Sequence, residues 1–317
     1  GSYGASFFGS PEMDPIYPDV DPITWREAQF LGTYVATRLE MEGIRGVETG
    51  APFTPDFVSA FQTIAYFMNI VGILTESASA KIASPIYIHP HQLRGYGRGR
   101  VADRPYMNYP NPWPGGWWRL GDIVRQQLIS SIAILNAVAL NKDMFLRNAY
   151  IKALRNIERG SKEPPYGFII PPDGHDPLTT IKLIDLLLKL GIKVYRALEP
   201  VRIGPAIYPE GSFLVPLSQS RRPLAKRLLE RYLYPDIDVT RDKDGKPVRP
   251  YDIATDTVAD FMGVTVIEVT EPISAKIAQI SSVAPPAVRL EKAHGYVIDP
   301  RLNDSYRVVN RLLAAGV

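Results

Sequence analysis

Val-Gly-Ile-Leu-Thr-Glu-Ser-Ala-Ser-Ala, residues 71 to 80, is the stretch that points most directly to a fold and to a chemistry. Its short apolar run predicts a strand buried on both faces, as in a sheet covered by helices. Glu76 ends that run. A carboxylate in such a place must be desolvated or paired, and this tunes an acid for proton transfer. The alternative is that Glu76 begins a solvated loop and at most pairs with Lys81.

The composition bounds the possible functions. With 317 residues and 45% hydrophobic content, two domains are expected. The net charge of +3 is too small to indicate a nucleic acid or a membrane as partner. No uninterrupted apolar run reaches the roughly 18 residues of a membrane helix. The lack of cysteine excludes a disulfide scaffold, a thiolate metal site and a cysteine nucleophile.

The segment before Glu76 predicts a loop followed by a helix. Residues 1 to 20 are rich in Gly, Pro and Asp, which favours an irregular surface loop. Asp21 as N-cap and Pro22 at the first helical position start a helix that Gly43 closes. Its buried face is predicted to carry Ala28, Leu31, Val35 and Leu39.

The segment after Glu76 predicts a connector and a long helix. Residues 105 to 118, with four prolines and three tryptophans, predict an extended connector whose aromatic rings need cover. A long amphipathic helix is predicted next, with an apolar stripe of Ile123, Val124, Leu128, Ile132, Leu135 and Val138. A second helix is predicted over residues 145 to 159. The domain boundary is placed between Gly160 and Pro165.

The second half alternates strand and helix. A strand over residues 167 to 170 precedes a helix capped by Asp176 and Pro177, and residues 192 to 195 form the next strand. This order favours a parallel, doubly wound α/β sheet. Residues 295 to 317 repeat the strand and helix but stop where the next strand would begin, so this domain is expected to be incomplete at its C-terminus.

Three stretches, at residues 72 to 76, 111 to 120 and 164 to 173, together resemble a bacterial branch of the carboxypeptidase A-like zinc metallopeptidases. The resemblance covers nearly the whole chain. It implies that residues 1 to 160 are the C-terminal portion of a zinc carboxypeptidase-type α/β/α domain. Residues 161 to 317 would be an appended flavodoxin-like, amidotransferase-like domain. It also suggests a periplasmic or secreted protein.

The same resemblance implies a reaction. In the family, the residue that matches Glu76 is the general acid/base beside a zinc-bound water, and the substrate is a peptide or an amide. A mobile Tyr usually covers the substrate, and here its neighbourhood offers Phe53 and Phe57. Amidotransferase activity in its usual form is excluded, because that chemistry needs a cysteine.

The zinc ligands that the resemblance implies are missing from the sequence. The family uses a His-x-x-Glu pair and a later His, and its spacing places that later His at or just before Gly1. No His precedes His89, and no His-x-x-Glu occurs. The chain is therefore expected to lack an upstream segment of a larger enzyme and to be inactive alone. The alternative is a non-catalytic α/β binding or interaction module, either a fragment or a pseudoenzyme.

Three other motifs carry open alternatives. His89 and His91 could chelate a metal or could lie on a surface rim. The stretch from Arg94 to Arg100 could follow a nucleic-acid backbone or could be a mobile loop. His175, between Asp173 and Asp176, could act as an acid/base group, or the motif could be ordinary helix capping.

Overall fold

The computed structural model describes residues 7 to 51, 53 to 80, 83 to 93, 103 to 250, 257 to 285 and 291 to 317. The chain forms two compact units. The first comprises Gly1–Lys152 with Tyr234–Ala254, and the second Ala153–Leu233 with Thr255–Val317. Both mix helices and strands, so the general α/β class is confirmed. The boundary expected between Gly160 and Pro165 differs from the division of the units, which falls inside a helix ending at Lys162.

The first unit is built on a three-stranded sheet in the order β2-β1-β3, with β1 parallel to β2 and antiparallel to β3. A separate pair joins β4 to β5. The elements are β1 (Phe7–Glu12), α1 (Pro22–Met41), β2 (Val47–Ala51), α2 (Phe61–Phe67), β3 (Thr75–Ser77), β4 (Ile86–Ile88), β5 (Gly116–Trp118), α3 (Leu120–Leu140) and the start of α4 (Lys142–Lys162). Short 3-10 helices cover Pro90–Gln92 and Asp238–Thr240.

The expectation of an irregular loop over residues 1 to 20 is wrong for β1, the central strand of this sheet. Local composition, with Gly9 and Pro11 inside the strand, argues against a strand. Pairing with β2 and β3 supplies backbone hydrogen bonds that no local pattern reveals. The core beneath the sheet joins this strand to α1 and α3 through Phe7, Val35, Leu39, Val47 and Ala133.

The first helix confirms its sequence prediction in detail. The Asp21 carboxylate accepts a hydrogen bond from the Ile23 backbone N–H at 2.9 Å, and Pro22 opens the helix. All four predicted core residues are buried. Gly43, just beyond the end, has a φ of 74°, a conformation that glycine adopts without strain. Strong local signals at both ends therefore fix α1.

The third helix exists as predicted but buries the opposite face. Its most buried residues are Gln126, Ser130, Ala133 and Ala137. Four of the six residues of the predicted stripe are exposed, and the other two, at its ends, are half-buried: Val124, Leu128, Ile132 and Leu135 are exposed, and Ile123 and Val138 are half-buried. Small and polar residues face inward because α3 packs on α1 and on the polar strand β3. The apolar stripe alone would have assigned the wrong face to the core.

By length and composition, α3 is also the one helix among the described residues that could cross a membrane. Polar and charged residues, among them Asp122, Arg125 and Gln126, interrupt its sequence, so α3 contains no uninterrupted apolar run of that length. Core helices of water-soluble proteins meet the same two criteria. The expectation that no membrane is involved therefore stays a prediction.

The second unit contains a five-stranded sheet in the order β11-β6-β10-β7-β12. A small hairpin joins β8 to β9. The elements are β6 (Gly167–Ile170), α5 (Pro177–Lys189), β7 (Val194–Ala197), β8 (Val201–Ile203), β9 (Ala206–Tyr208), β10 (Phe213–Pro216), α6 (Arg222–Leu229), α7 (Val258–Met262), β11 (Ile267–Val269), β12 (Ile277–Ile280) and α8 (Asn303–Ala314).

The predicted parallel, doubly wound sheet is wrong for the strands that the structure describes. The order β6-α5-β7 is as expected, but β10 lies between β6 and β7 and is antiparallel to both. The edge strands β11 and β12 also pair antiparallel. Phe213, Leu214 and Val215 are fully buried, so this short apolar run takes the central position that a parallel neighbour would occupy. The flavodoxin-like arrangement is therefore not formed.

The predicted repeat near the C-terminus is only half correct. The helix appears as α8 over Asn303–Ala314. Residues 295 to 300 form no strand, although all of them are described. Tyr296 and Val297 are exposed, so this segment lacks the burial that would favour pairing with the sheet.

Candidate functional site

Glu76 lies at the centre of β3 with an exposed side chain. In the antiparallel pairing with β1 it stands opposite Phe8. Residues 71 to 74 have no regular structure, so the predicted strand buried on both faces is wrong. The exposed alternative is correct for this side chain, although the residue lies on a strand and not in a loop. Ile73 packs on the core from an extended segment, which accounts for the apolar character of the run.

The neighbours of Glu76 are fixed to α3 by side-chain hydrogen bonds. Thr75 Oγ1 donates to Gln127 Oε1 at 2.9 Å, and Ser77 Oγ donates to Gln126 Oε1 at 2.8 Å. Successive side chains of a strand point to opposite faces. The bonds to Thr75 and Ser77 therefore turn Glu76 away from the helix, and its carboxylate has no hydrogen-bond or ion-pair partner among the described residues.

Two phenylalanines lie on the same side of the sheet as Glu76. Phe8 and Glu76 are directly opposite in an antiparallel pair, so their side chains share a face. The ring of Phe8 meets that of Phe53 edge to face, with 6.3 Å between centroids. Phe57 is buried in the core, only 4% exposed. Of the two aromatic residues that the sequence offered near this site, the structure links Phe53 to it.

The described residues do not fit the zinc ion that the resemblance implies. Among them, no three His, Cys, Asp or Glu side chains come close enough to hold a metal. Residues 1 to 6, which the family places after its last zinc ligand, lie outside the described ranges, as does Lys81. No chemical step through zinc can be assigned to the residues in hand.

His89 and His91 belong to an exposed row of aromatic side chains. Their rings stack with centroids 5.4 Å apart, and His89 meets Tyr87 edge to face at 4.8 Å. Tyr87 also meets Trp117, over which the Arg119 guanidinium lies at 5.1 Å. The described residues bring no third metal ligand to the histidines. This arrangement matches the surface-rim alternative.

The connector of residues 105 to 118 is mostly irregular, as predicted, but its last three residues form β5. Trp118 is buried, and its indole N–H donates to the Ala78 carbonyl at 2.8 Å. Its ring packs edge to face on Trp113. Trp118 thus ties the connector to the chain just beyond Glu76.

A second constellation, which the sequence did not predict, surrounds Glu12 at the end of β1. Tyr66 Oη donates to Glu12 Oε1 at 3.0 Å and lies 3.1 Å from Oε2. Ser10 Oγ lies 3.2 Å from Glu12 Oε1. The Leu74 backbone N–H donates to the same Ser10 Oγ at 3.1 Å. A carboxylate is thereby held rigidly among neutral donors.

Burial dominates the proton equilibria of this pair. It raises the pKa of Glu12, because desolvation outweighs the hydrogen bonds that lower it. Burial, followed by the nearby Glu12 carboxylate, raises the pKa of the Tyr66 phenol, so Tyr66 stays a hydrogen-bond donor. A carboxylate with a raised pKa beside a cavity is a functional-site candidate on physical grounds.

The available sequence signal for Glu12 was its place after the aromatic pair Phe7 and Phe8. Glu76 likewise follows a run of apolar residues. The surrounding Gly and Pro residues predict a loop, and a loop gives no reason to expect a desolvated carboxylate at Glu12. The Glu76 carboxylate, whose pKa was expected to be tuned by burial, is therefore exposed. Desolvation instead raises the pKa of Glu12, on the neighbouring strand of the same sheet.

In the second unit, the His175 motif before α5 is an ordinary helix cap, which is one of the two alternatives that the sequence left open. Asp176 accepts hydrogen bonds from Thr179 N at 2.9 Å and from Thr179 Oγ1 at 2.7 Å. Burial acts to raise the pKa of Asp176, but the bonds from the Asn303 backbone N–H and from Thr179 hold that pKa below its usual value. His175 and Asp173 are exposed. Asp176 is a cap that joins α5 to α8.

The segment from Arg94 to Arg100 lies outside the described residues, and its alternatives stay open. No protein-family model, no curated protein and no solved structure matches the chain.

Proposed function

We propose that this chain supplies the general acid/base of a peptide- or amide-hydrolysing enzyme similar to the zinc carboxypeptidases, and that Glu76 is that group. The observation that carries the proposal is the placement of its carboxylate. It is exposed on a strand whose neighbours Thr75 and Ser77 are bonded to α3. A rigidly held carboxylate with no partner among the described residues is free to accept and return a proton.

In this proposal Glu76 accepts a proton from the attacking water and passes it to the leaving amine. Phe8 and Phe53 offer an apolar wall beside the carboxylate, which suits a substrate with an apolar side chain. The resemblance also implies zinc. The described residues do not provide its ligands, so the proposal assigns none of them to a metal.

The test compares Glu76→Gln with wild type in the gene product as isolated from its natural source. The substrates are a short peptide ending in a free phenylalanine and the same peptide with a C-terminal amide. Loss of a general acid/base typically costs about 10² to 10⁴ in rate, and we expect a loss of that size here. Because Glu76 is exposed, the substitution should change stability by less than about 0.5 kcal/mol.

Glu42→Gln is the matched control, since Glu42 is an exposed glutamate of the same unit at the end of α1. It should leave the rate unchanged. Equal rates for wild type and Glu76→Gln would overturn the proposal. An isolated polypeptide of 35.3 kDa that contains no zinc and hydrolyses neither peptide would support the non-catalytic binding module instead.

A further inference from the structure

A cavity of about 430 Å³ lies in the first unit between α1 and the chain that follows β1. Glu12, Met13, Asp14, Trp25, Arg26 and Pro55 are among the residues that line it. This volume falls within the usual range of about 300 to 1,000 Å³ for small-molecule sites. Along β1, Glu12 lies four residues, or about 13 Å, from the partner of Glu76, so the cavity is separate from the proposed hydrolytic site.

The half-buried Glu12 carboxylate in this cavity is bonded to neutral groups. Its side-chain partners are the hydroxyls of Tyr66 and Ser10, and no lysine, arginine or histidine pairs with it among the described residues. The two hydroxyl hydrogens leave part of the acceptor capacity of a carboxylate unused. Neutral donors compensate a desolvated negative charge only partly. A cation brought by a ligand would complete the compensation.

The walls of the cavity suit an organic body attached to that cation. Trp25 lines it, with its ring centroid 4.9 Å from that of Tyr66. The Trp25 indole nitrogen is buried and has no hydrogen-bond partner in the described part of the chain. Met13 and the three prolines Pro11, Pro22 and Pro55 add apolar surface. Indole rings attract ammonium groups through their π-faces as well as apolar groups through contact.

The charges at the cavity favour a cation over an anion. Asp14 is an exposed second carboxylate on the wall. The one basic side chain there, Arg26, donates from Nη1 to Gln29 Oε1 at 2.7 Å. Two carboxylates are too few for calcium, which takes six to eight oxygen ligands, and the aromatic wall offers none.

We propose that this cavity binds an organic amine, with its ammonium group on Glu12 and its apolar body against Trp25 and Met13. Asp14 adds attraction from the exposed side. The raised pKa of Glu12 is consistent with a carboxylate that lacks a cation in the free protein.

The experiment is a titration of the 317-residue chain at neutral pH with four probes: 2-phenylethylamine, its neutral analogue 2-phenylethanol, the anion 3-phenylpropionate, and calcium chloride. Calorimetry gives the affinities. The four tryptophan indole N–H signals in a ¹⁵N correlation spectrum give the location, and Trp25→Phe identifies the Trp25 signal. We expect the amine to bind about tenfold or more tightly than the alcohol and to shift the Trp25 signal most.

Substitutions test the two carboxylates. Glu12→Gln keeps the size of the side chain and removes its charge, and it should weaken amine binding about tenfold or more. Asp14→Asn, at an exposed position where unfolding is not expected, should weaken it by about two- to threefold. Glu42→Gln, outside the cavity, should change nothing.

Several results would overturn the proposal. These are equal affinities for the amine and the alcohol, tighter binding of 3-phenylpropionate, competition by calcium, or a shift confined to other tryptophans. Unchanged amine affinity in a folded Glu12→Gln protein would do the same. If thermal melting shows that Glu12→Gln does not fold, the probe series and Asp14→Asn decide the question without it.

Discussion

Glu12 and Glu27 are two carboxylates of the first unit whose partners differ in charge. Glu12 is half-buried at the end of β1, and Glu27 is buried within α1. Glu27 is 3% exposed, and its Oε2 lies 2.6 Å from Lys152 Nζ on α4. Its other oxygen accepts a hydrogen bond from Asn148 Nδ2 at 3.0 Å. Glu12 has hydroxyl partners and no basic one among the described residues. The two carboxylates therefore differ in whether a basic side chain compensates their charge.

Both carboxylates also line cavities along α1. The cavity next to Glu27 has a volume of about 350 Å³ and includes Phe30 and Met144. The charge of Glu27 is already compensated by Lys152. This cavity therefore offers a ligand apolar contact but no uncompensated charge. The Glu12 cavity has an unmatched charge in its wall and can select a ligand by charge. Three predictions separate the two environments.

The largest expected effect is at the paired carboxylate. Lys152→Met leaves Glu27 buried without its cation and should lower the free energy of unfolding by about 3 to 5 kcal/mol. Urea denaturation measures it. Lys189→Met, which removes the lysine of an exposed pair with Asp185 on α5, is the control and should cost less than about 1 kcal/mol. A small loss for Lys152→Met would mean that Glu27 needs no cation and that the contrast with Glu12 is false.

The next effect is at the contact that holds α1 against β1 beside Glu12. A methyl group added at Gly32 would lie 1.7 Å from the Ser10 carbonyl oxygen. The added methyl group would collide with backbone atoms of Ser10, which cannot rotate away as a side chain can. Gly32→Ala must therefore move the helix, at a cost of about 1 to 3 kcal/mol or more. It should also weaken amine binding, since Ser10 is bonded to Glu12.

The same chemical change at Gly121, on α3, is the control for Gly32. Nothing lies near the added methyl group there. Gly121→Ala should therefore raise stability by up to about 1 kcal/mol, through helix propensity. Thermal melting of the two variants gives the signs. Equal effects at both positions would show that the close approach at Ser10 does not constrain the helix.

The smallest effect is the dependence of stability on pH at Glu12. Burial places the pKa of Glu12 above its ordinary value of 4.5, so folding favours the protonated acid. The stability from this group is complete below the unfolded pKa and is lost as the pH rises through the folded pKa. Glu12→Gln, which is always neutral, should match wild type below the unfolded pKa and exceed its stability at neutral pH.

Denaturant melts of the two proteins across this pH range test the last prediction, with Glu42→Gln as an exposed control that should show no such divergence. A Glu12→Gln protein that is less stable than wild type at neutral pH would show that the carboxylate is compensated in the free protein. The case for a cationic ligand would then weaken together with the comparison to Glu27.

Local signals predicted the ends of helices well. The caps at Asp21 and Asp176 and the closing Gly43 were identified correctly, because each bonds to, or bends, backbone within a few residues of itself. Strand pairing was predicted poorly. The short run at Phe213–Pro216 gave no sign that it would separate β6 from β7, since partners in a sheet come from distant parts of the chain.

The same distinction explains the outcome at the carboxylates. The sequence marked Glu76 by its place after an apolar run, but its exposure depends on how β3 pairs with β1 and how Thr75 and Ser77 bond to α3. The environment of Glu12 depends on a hydrogen bond from Tyr66, which lies 54 positions away in the sequence and reaches Glu12 only in the folded chain.

The sequence by itself determined where α1 and α5 begin, the mixed α/β class and the absence of thiol chemistry. These features depend on residue type and near neighbours. The tertiary structure alone decided which face of α3 is buried, the antiparallel order of the second sheet and which carboxylate lies in a cavity. Each of these depends on desolvation and on hydrogen bonds between groups far apart in the chain, and such energies have no local sequence signature.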